Sequence, residues 1–407
     1  MIGKFRKYIG PGPLIAAAFI GPGTVTVCTI AGVKFGYDLL WALALSVFAT
    51  IVLQEMASRI GLFTGKGLAT VVSGSLKKGM SRYLSLTLIL LAIVLGNAAY
   101  EAGNISGGSM GLSLFVDMPA LQFATLSLNP LNMLLGIVAW SLLMIGSYKR
   151  ITQVLTFLVI LMSLAFILNI FMVKPSFGEL AGGFVPKVNS LNIIQIVALI
   201  GTTVVPYNLF LHSSLVSQRW NSIKDLKYAR VDTIISVVLG GLVSMAIVAT
   251  AAGSGISEVN SAAELAIGVE PLLGNQAKYF IGFGLFAAGI TSAITAPLAG
   301  AFVVCGIFGW SSNLSQPPMK WSISAILGLG LLFASLGIKP VQLINLAQLA
   351  NGMLLPLLSA YILWLANKSE LMQGYKNTAI INVLGFLVWL ITLGLGCMSV
   401  AKVFNWI

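Results

Sequence analysis

The feature that most constrains this chain is a series of long apolar runs separated by short polar or charged breaks. A helix needs about 20 consecutive apolar residues to cross a bilayer, and runs of that length recur along the 407 residues. Hydrophobic residues make up 58% of the chain and charged residues only 8%, whereas about a quarter of the residues in soluble domains are charged. The sequence therefore predicts an integral membrane protein and excludes a water-soluble globule or a disordered chain.

The runs predict an all-α membrane protein with eleven transmembrane helices, which form a single transmembrane domain over residues 1–407. We number the predicted spans 1 to 11 in chain order: 11–33, 39–61, 82–107, 126–147, 151–173, 191–217, 231–253, 278–309, 321–338, 341–366 and 378–402. These runs are continuously apolar, whereas the strands of a membrane β-barrel alternate apolar and polar residues. We therefore predict no strands within the spans.

The distribution of Lys and Arg predicts the orientation of the spans. With the N-terminus inside and the spans alternating, 17 of the 23 basic residues fall inside and 6 fall outside. Cytoplasmic loops carry the excess of basic residues in membrane proteins. The sequence thus predicts a cytoplasmic N-terminus and an outside C-terminus, in a bacterial inner (plasma) membrane. The net charge of +12 is spread thinly, which argues against a nucleic-acid partner. We expect the lipid bilayer as surroundings and infer no obligate protein partner.

Side chains that serve catalysis or metal binding are scarce in the sequence. His212 is the only histidine, and Cys28, Cys305 and Cys397 lie far apart in apolar runs. This spacing fits neither a zinc site nor a disulfide framework. The sequence has no credible nucleophile–base pair, phosphate-binding loop or cofactor motif. We therefore predict that the protein is not an enzyme and carries no cofactor.

Two predicted spans carry a helix breaker near their middle. Span 1 contains Gly21-Pro22-Gly23-Thr24, and span 6 contains Val205-Pro206-Tyr207-Asn208. Proline removes a backbone donor and clashes with the preceding turn. Unwound backbone at membrane depth is tolerated where it is buried in protein or lines a cavity. Each break is therefore either a packing kink or part of a binding site.

The matched positions of the two breaks favour a binding site. Interrupted spans at corresponding places in two halves of a chain mark the substrate site of inverted-repeat transporters. We predict a first repeat over about 11–173, a second over about 191–366, and an additional helix over about 378–402. The substrate would lie between Pro22 and Pro206.

At these breaks and along most of the chain, the sequence resembles the NRAMP (natural resistance-associated macrophage protein) family of metal-ion transporters. Ala31–Tyr37 is similar to the family's AGxxFGY stretch, Arg59–Lys66 to its RLGxxTGK, and Pro206–Ser213 to its PHNLYLHS. Gly10-Pro11-Gly12 opens span 1 as in the family, and Asn351–Pro356 resembles span 10 of some bacterial branches. The resemblance implies a LeuT-like inverted repeat with broken helices 1 and 6. It also implies alternating access, with spans 1, 2, 6 and 7 rocking against a scaffold.

The chain departs from the family at the residues that hold the metal. The family's first break reads DPGN, in which Asp and Asn bind the ion, whereas this chain has Gly21 and Thr24 at those places. The second break reads MPHN in the family, whereas Val205 and Tyr207 replace the methionine and the histidine here. Transition metals favour imidazole and thioether ligands, and Mg²⁺ and Mn²⁺ favour carboxylates. The sequence therefore does not predict a tight metal site at the breaks.

The predicted substrate site is neutral. It comprises Gly21, Pro22, Gly23, Thr24, Val205, Pro206, Tyr207 and Asn208, together with Gln348 and Asn351, which face a polar pathway in the family. Burying an ion without a counter-charge costs several kcal/mol, whereas the helix N-termini after both prolines suit anions. We therefore predict an NRAMP-related secondary transporter for a small inorganic ion, with an anion such as bicarbonate favoured. The alternative is a divalent cation, Mg²⁺ or Mn²⁺, held by neutral oxygens and backbone carbonyls.

Five further residues are candidates for coupling or gating: Glu101, His212, Thr291, Ser292 and Thr295. An acid inside a span is expensive and functional by default, and Glu101 lies where the family has acids tied to proton movement. A structural partnership with Tyr100 or Asn104 is the alternative. His212 matches the family's second histidine and is either a titrating gate residue or a hydrogen-bonded structural one. The three hydroxyl residues of span 8 either line the pathway or permit close helix packing.

Overall fold

The computed structural model describes residues 10–116, 118–123, 126–220, 222–254, 274, 277–338 and 340–403, and within these ranges the chain is almost entirely helical. The helices are α1 (Gly12–Phe19), α2 (Pro22–Phe35), α3 (Leu40–Thr64), α4 (Leu68–Ser75), α5 (Met80–Ser113), α6 (Pro130–Met144), α7 (Tyr148–Val173), α8 (Phe177–Gly182), α9 (Ile193–Thr203), α10 (Pro206–Arg219), α11 (Leu226–Ala252), α12 (Ala277–Phe308), α13 (Pro317–Ala334), α14 (Pro340–Ala366), α15 (Ser369–Met372) and α16 (Ala379–Val403). A short 3₁₀ helix spans Ile223–Asp225, and two strands, β1 (Leu121–Phe123) and β2 (Leu126–Leu128), form a hairpin.

Every predicted span coincides with helix over most of its length, which confirms the all-α class. Among the described residues, eight helical segments are long and apolar enough to cross a membrane, and the bent pair α1–α2 makes a ninth if it is one span. The helices of spans 4 and 10 offer shorter apolar stretches, Pro130–Met144 and Gly352–Ala366. The count of eleven crossings therefore stays a prediction.

The prediction that span 4 begins at residue 126 is wrong, because residues 126–128 form strand β2. β2 pairs antiparallel with β1, and Gln122 lies opposite Ser127. The helix begins only at Pro130, where the Asn129 side chain accepts a hydrogen bond from the Leu131 N–H. An Asn cap followed by Pro at the first helical position is a strong helix start. This signal, and not the apolar run, sets the boundary.

Burial separates a central helix from a lipid-facing shell. In α12, 89% of the most apolar window is buried inside the protein, whereas the corresponding windows of α5 and α7 are 28% and 24% buried. A helix that is apolar all round and buried lies at the core of a large protein. On α5, Leu84, Leu88, Leu91 and Leu95 are exposed at helical spacing, so one face of this helix is apolar and turned outward. α12 therefore lies in the core, where α1, α2 and α10 of the broken spans pack against it.

Glycines let α5 approach α12 closely. A Cβ atom built on Gly289 would lie 2.3 Å from Gly108 Cα, and one built on Gly111 would lie 2.5 Å from the Gly282 carbonyl oxygen. Small residues at such crossings allow helix backbones to touch. The crossing fixes the position of the polar residues of α5 relative to those of α12.

Candidate functional site

The break in span 1 turns the chain sharply inside the protein. α1 ends at Phe19 and α2 begins at Pro22, and the two helices are bent by 51°. Gly21 precedes α2 in an extended conformation, with φ −98° and ψ 177°, and no side chain caps the start of α2. All residues of the break are buried. The unwound backbone therefore lies at the centre of the protein and not at its surface.

Span 6 is interrupted as well, but its axis changes less. α9 ends at Thr203 and α10 begins at Pro206, with Val205 extended and no side-chain cap at the start of α10. In the described part of the chain, only the α1–α2 pair is bent by more than 40° at a short break. Span 6, by contrast, is long and apolar enough to cross the membrane as one segment, Ile193–Arg219. Both predicted interruptions are thus present in the backbone, and only the first redirects its helix strongly.

Two hydroxyl groups join the breaks to each other. Thr24 Oγ1 donates to the Phe19 carbonyl at 2.9 Å and lies 3.1 Å from Thr202 Oγ1. The Tyr207 hydroxyl donates to the Ala18 carbonyl at 3.3 Å. Carbonyls in the last turn of a helix have no partner within the helix. Two side chains that were predicted as substrate ligands, Thr24 and Tyr207, therefore donate hydrogen bonds to carbonyl groups at the C-terminal end of α1.

Three other side chains near the breaks retain hydrogen-bonding capacity. Asn208 is 1% exposed, and neither its amide oxygen nor its amide nitrogen has a partner among the described residues. The same holds for Ser292 Oγ and Asn104 Nδ2, both buried. Buried polar groups are normally paired, and leaving one unpaired costs about 1–3 kcal/mol. These atoms therefore have unused hydrogen-bonding capacity beside the breaks.

Two of these side chains surround Gly21. A Cβ atom built on Gly21 would lie 2.6 Å from Ser292 Oγ and 3.6 Å from Asn104 Oδ1. Ser292 belongs to α12 and Asn104 to α5, so the glycine crossing of these helices places both side chains beside the break. Asn104 was not predicted as a ligand from the sequence. The signal lay in span 3, where Asn97, Glu101 and Asn104 follow at spacings of four and three residues along one helix face.

Glu101 is fully buried on α5 and packs against α13. A Cβ atom on Gly330 would lie 2.5 Å from Glu101 Cγ. The side chains of Asn104 and Tyr207 lie close enough to interact with the carboxyl group. Neither carboxyl oxygen, however, makes a hydrogen bond of normal geometry with a described residue. The structural partnership considered from the sequence is therefore incomplete.

His212 lies away from the breaks, between α3 and α11. Its Nδ1 is 2.6 Å from Gln54 Oε1, and its Nε2 is 3.4 Å from Thr233 Oγ1. The residue is fully buried. These contacts are those of a hydrogen-bonded structural histidine.

Of the other predicted residues, Thr291 and Thr295 hydrogen-bond to backbone carbonyls of their own helix. Thr291 Oγ1 donates to the Ala287 carbonyl at 2.8 Å, and Thr295 Oγ1 donates to the Ser292 carbonyl at 3.4 Å. Thr295 also lies near the Tyr207 hydroxyl. Gln348 and Asn351 belong to α14, but their side chains lie outside the described part of the structure.

Two polar clusters lie at the predicted inner end, and the sequence did not predict the contacts that join distant segments within them. The Asp232 carboxylate accepts hydrogen bonds from the backbone N–H groups of Gly10 and Gly12. In the second cluster, Glu55 and Arg59 form an ion pair at 3.1 Å, and Arg230 joins it at 2.9 Å from Glu55 Oε1. Asp232 and Arg230 lie in a different part of the chain from their partners, so no local sequence pattern indicates these contacts. Asp232 and Glu55 thus accept hydrogen bonds of normal geometry, whereas the carboxyl oxygens of Glu101 accept none from a described residue.

The described residues hold no group of three or more His, Cys, Asp or Glu side chains arranged to bind a metal ion. An ion at the breaks would be held by neutral oxygens, with Glu101 as the nearby negative charge.

Comparison with known proteins gives relatives that match nearly the whole of this chain. A 26% identical relative, the divalent metal cation transporter MntH of Verminephrobacter eiseniae, aligns with 98% of this chain and 90% of its own length. MntH of Caldanaerobacter subterraneus is 26% identical over 95% of this chain. The natural resistance-associated macrophage protein 2 homolog of Dictyostelium discoideum is 24% identical, and the match covers 99% of this chain and 64% of that protein. Because these relatives are transporters, the prediction of a transporter and not an enzyme is confirmed.

Solved structures share the fold. The manganese transporter of Eremococcus coleocola, in a mutant form, superimposes with a TM-score of 0.81 at 20% identity, over 98% of this chain and 87% of that one. Mhp1, a nucleobase-cation-symport-1 family transporter, gives a TM-score of 0.59 at 15% identity, over 97% and 93% of the two chains. These likenesses confirm the predicted LeuT-like fold. The sequence model of the Nramp family, described as natural resistance-associated macrophage protein-like, matches residues 12–402, and this chain therefore belongs to that family of integral membrane transporters.

Proposed function

We propose that this protein is a secondary transporter of a divalent metal cation, which it binds beside the break in span 1. The two MntH relatives, which are named as divalent metal cation transporters, support a cation and not bicarbonate. The cation, which was the alternative from the sequence, is therefore the better supported substrate class.

Glu101 is the observation that carries the proposal. Its carboxyl group is fully buried, and its oxygens have no hydrogen-bond partner among the described residues. A buried charge without compensation costs several kcal/mol, and intramembrane acids mark ion pathways by default. A cation bound nearby would supply the missing compensation. Glu101 thus serves as the counter-charge that the first break lacks at Gly21.

The other ligands are neutral oxygens, and this sets the kind of cation. Asn208 and Ser292 offer an amide and a hydroxyl oxygen, ligands of the hard type that Mg²⁺ and Mn²⁺ accept. One carboxylate and a few neutral oxygens do not replace a complete water shell, and Mg²⁺ in particular keeps several waters when it binds. We expect the ion to travel with part of its hydration shell. Soft metals lose their advantage because Val205 and Tyr207 supply neither thioether nor imidazole.

Transport by alternating access requires the break to be reached from each side in turn. In the structure, α1 is fixed to α11 at the predicted inner end by the Asp232 hydrogen bonds. We propose that these contacts keep α1 and α11 together as the bundle of spans 1, 2, 6 and 7 moves to release the ion to the inside. Glu101, on α5, stays with the scaffold.

One observation keeps a small anion as the second candidate. The starts of α2 and α10 have no side-chain cap, so their N–H groups and positive helix ends face the break without an acid to offset them. The carbonyl groups of Phe19 and Ala18 at the end of α1, by contrast, already accept hydrogen bonds from the Thr24 and Tyr207 hydroxyls. Bicarbonate is the plainest anion for such a site.

Uptake into proteoliposomes decides between the two candidates. We expect saturable uptake of Mn²⁺ or Mg²⁺, at least tenfold reduced in Glu101→Gln. The Glu55→Gln variant is the matched control, because Glu55 is paired with Arg59 and Arg230 far from the breaks, and its uptake per folded molecule should stay within about twofold of wild type. Saturable bicarbonate uptake without uptake of either metal would overturn the proposal in favour of the anion.

A further inference from the structure

The space that a side chain at residue 21 would need is already occupied. A Cβ atom built on Gly21 would lie 2.6 Å from Ser292 Oγ and 3.3 Å from Ser292 Cβ. The first distance is shorter than real Cβ contacts, so any other residue at this position would have to displace Ser292. The loss of the family's acid at residue 21 is therefore matched by a side chain that enters from α12.

The helix crossing holds Ser292 and Asn104 in place. Gly289 lies three residues before Ser292, and a Cβ on it would lie 2.9 Å from the Asn104 carbonyl oxygen. Gly108, one turn after Asn104, touches Gly289 directly. The backbones that carry the two side chains are thus in contact. Neither can retreat from Gly21 without separating α5 from α12.

Ser292 differs from its neighbours in the use of its hydroxyl. Thr291 donates to a carbonyl of its own helix at 2.8 Å, which is the usual arrangement for Ser and Thr within a helix. Ser292 Oγ makes no hydrogen bond with a described residue, although the side chain is fully buried. Its hydroxyl points instead toward the break.

Asn104 completes the pair. Its Oδ1 lies 3.6 Å from the same point at which Ser292 Oγ lies 2.6 Å away, so the two oxygens are separated by no more than about 6 Å, a gap that one water can bridge. The Asn104 Nδ2 atom is also buried without a partner among the described residues. Two polar side chains from different helices thus converge on one small volume next to the backbone of the break.

We propose that Ser292 and Asn104 are substrate ligands that replace the missing side chain at residue 21, and that they bind a divalent cation or a water of its first shell. This inference rests on the proposed function, because it names ligands for the same cation. Glu101 lies one turn before Asn104 on α5 and provides the charge, while Ser292 and Asn104 provide the oxygens. The ligand set has moved from span 1 to spans 3 and 8.

The test combines removal of the ligands with a rescue experiment. Ser292→Ala and Asn104→Ala should each raise the KM for Mn²⁺ or Mg²⁺ uptake roughly three- to tenfold, the effect of losing one hydrogen bond or neutral ligand. Ser244→Ala is the matched control, because Ser244 is equally buried but donates to the Gly240 carbonyl of its own helix. A KM change in Ser292→Ala no larger than in Ser244→Ala would overturn the assignment.

Gly21→Asp and Gly21→Asp/Ser292→Ala test the steric part. We expect the single variant to lower the yield of folded protein and its melting temperature, because the Cβ of an aspartate at this position has no room beside Ser292 Oγ; the double variant should recover both. Metal-induced stabilisation of the purified double variant should exceed that of wild type, since a carboxylate returns to the break. Normal folding of Gly21→Asp with Ser292 in place would overturn the steric account. If wild type shows no metal uptake and no metal-induced stabilisation, the proposed function is wrong. If Glu101→Gln abolishes uptake while Ser292→Ala and Asn104→Ala leave KM unchanged, the proposed function stands and only the assignment of Ser292 and Asn104 is wrong.

Discussion

The carboxylate of Asp232 accepts a hydrogen bond from the backbone N–H of Gly12 at 2.8 Å, across 220 residues of sequence. The Gly10 N–H donates to the same carboxylate at 3.0 Å. Helix α1 has no side-chain cap of its own at Pro11, so an acid from α11 accepts from its first N–H group, that of Gly12, and from the N–H of Gly10 just before the helix. Negative charge at a helix N-terminus is also favourable for the helix dipole. Spans 1 and 7 are thereby joined at the predicted inner end.

Removing this carboxylate should loosen the inner end of span 1. We expect Asp232→Ala to destabilise the protein by about 1–3 kcal/mol, because two buried N–H groups lose their acceptor. Asp232→Asn should cost less, since the amide oxygen still accepts one bond. Melting temperatures in detergent measure the difference. Asp225→Asn, which removes a partly exposed charge at the same end, is the control; equal melting temperatures for Asp225→Asn and Asp232→Ala would contradict the capping role.

The glycine at residue 12 is required by the same contact. A Cβ atom on Gly12 would lie 2.2 Å from Ser236 Oγ and 2.5 Å from Asp232 Oδ1. Gly12→Ala should therefore force α1 away from α11 and cost about 1–3 kcal/mol, as overpacking does. Gly74→Ala is the matched control, because its Cβ would meet nothing within 4 Å and alanine favours the helix. A Gly12→Ala protein as stable as Gly74→Ala would show that α1 is not held as closely as the structure indicates.

Arg59 is expected to be the most sensitive charged residue of the protein. Its side chain is 1% exposed, pairs with Glu55, and donates to the Tyr375 carbonyl at 2.6 Å and to Asn377 Oδ1. These bonds tie α3 to the segment between α15 and α16. Lysine lacks the planar donor fork, so even Arg59→Lys should lower stability by about 2 kcal/mol, because the buried cation can no longer make all of these hydrogen bonds.

The neighbouring Arg230 supplies the control for this prediction. It contacts the same Glu55 carboxylate at 2.9 Å, but its side chain is 45% exposed. An exposed ion pair contributes about 0–1 kcal/mol, so Arg230→Ala should leave the melting temperature close to that of wild type. Similar losses for Arg59→Lys and Arg230→Ala would contradict the difference in burial.

The spans could be predicted from the sequence because long apolar runs admit few structures in a bilayer. The prediction was wrong at the start of span 4. Asn129 and Pro130 start the helix four residues after residue 126, where the apolar run begins. The breaks at Pro22 and Pro206 were predictable for the same reason, since proline acts on its own backbone whatever surrounds it.

The partners of the site residues could not be predicted, because they depend on contacts between distant segments. Thr24 and Tyr207 carry the right groups for a substrate, yet they bond to Phe19 and Ala18. The sequence shows that residue 21 is a glycine and not an acid. It does not show that Ser292 Oγ lies 2.6 Å from the place where a Cβ atom of residue 21 would be. For this reason, Gly21→Asp is not a simple restoration of a metal site, which sequence reasoning alone would suggest.

His212 provides the last prediction, on the pH dependence of transport. Its ring nitrogens face Gln54 Oε1 and Thr233 Oγ1, both neutral groups, and Thr233 itself donates to the Ala229 carbonyl at 2.7 Å. A charged imidazole would have no counter-charge among these partners, so a neutral ring fits the site. We expect His212→Gln, which can still hydrogen-bond to Gln54, to keep the wild-type pH profile of uptake between about pH 5 and 8, the range in which a titrating histidine acts. His212→Leu should lower stability by about 1–3 kcal/mol through the unpaired Gln54, again with an unchanged profile. A shifted profile in the glutamine variant would assign His212 to gating instead, and uptake measured at intervals across this range distinguishes the two roles.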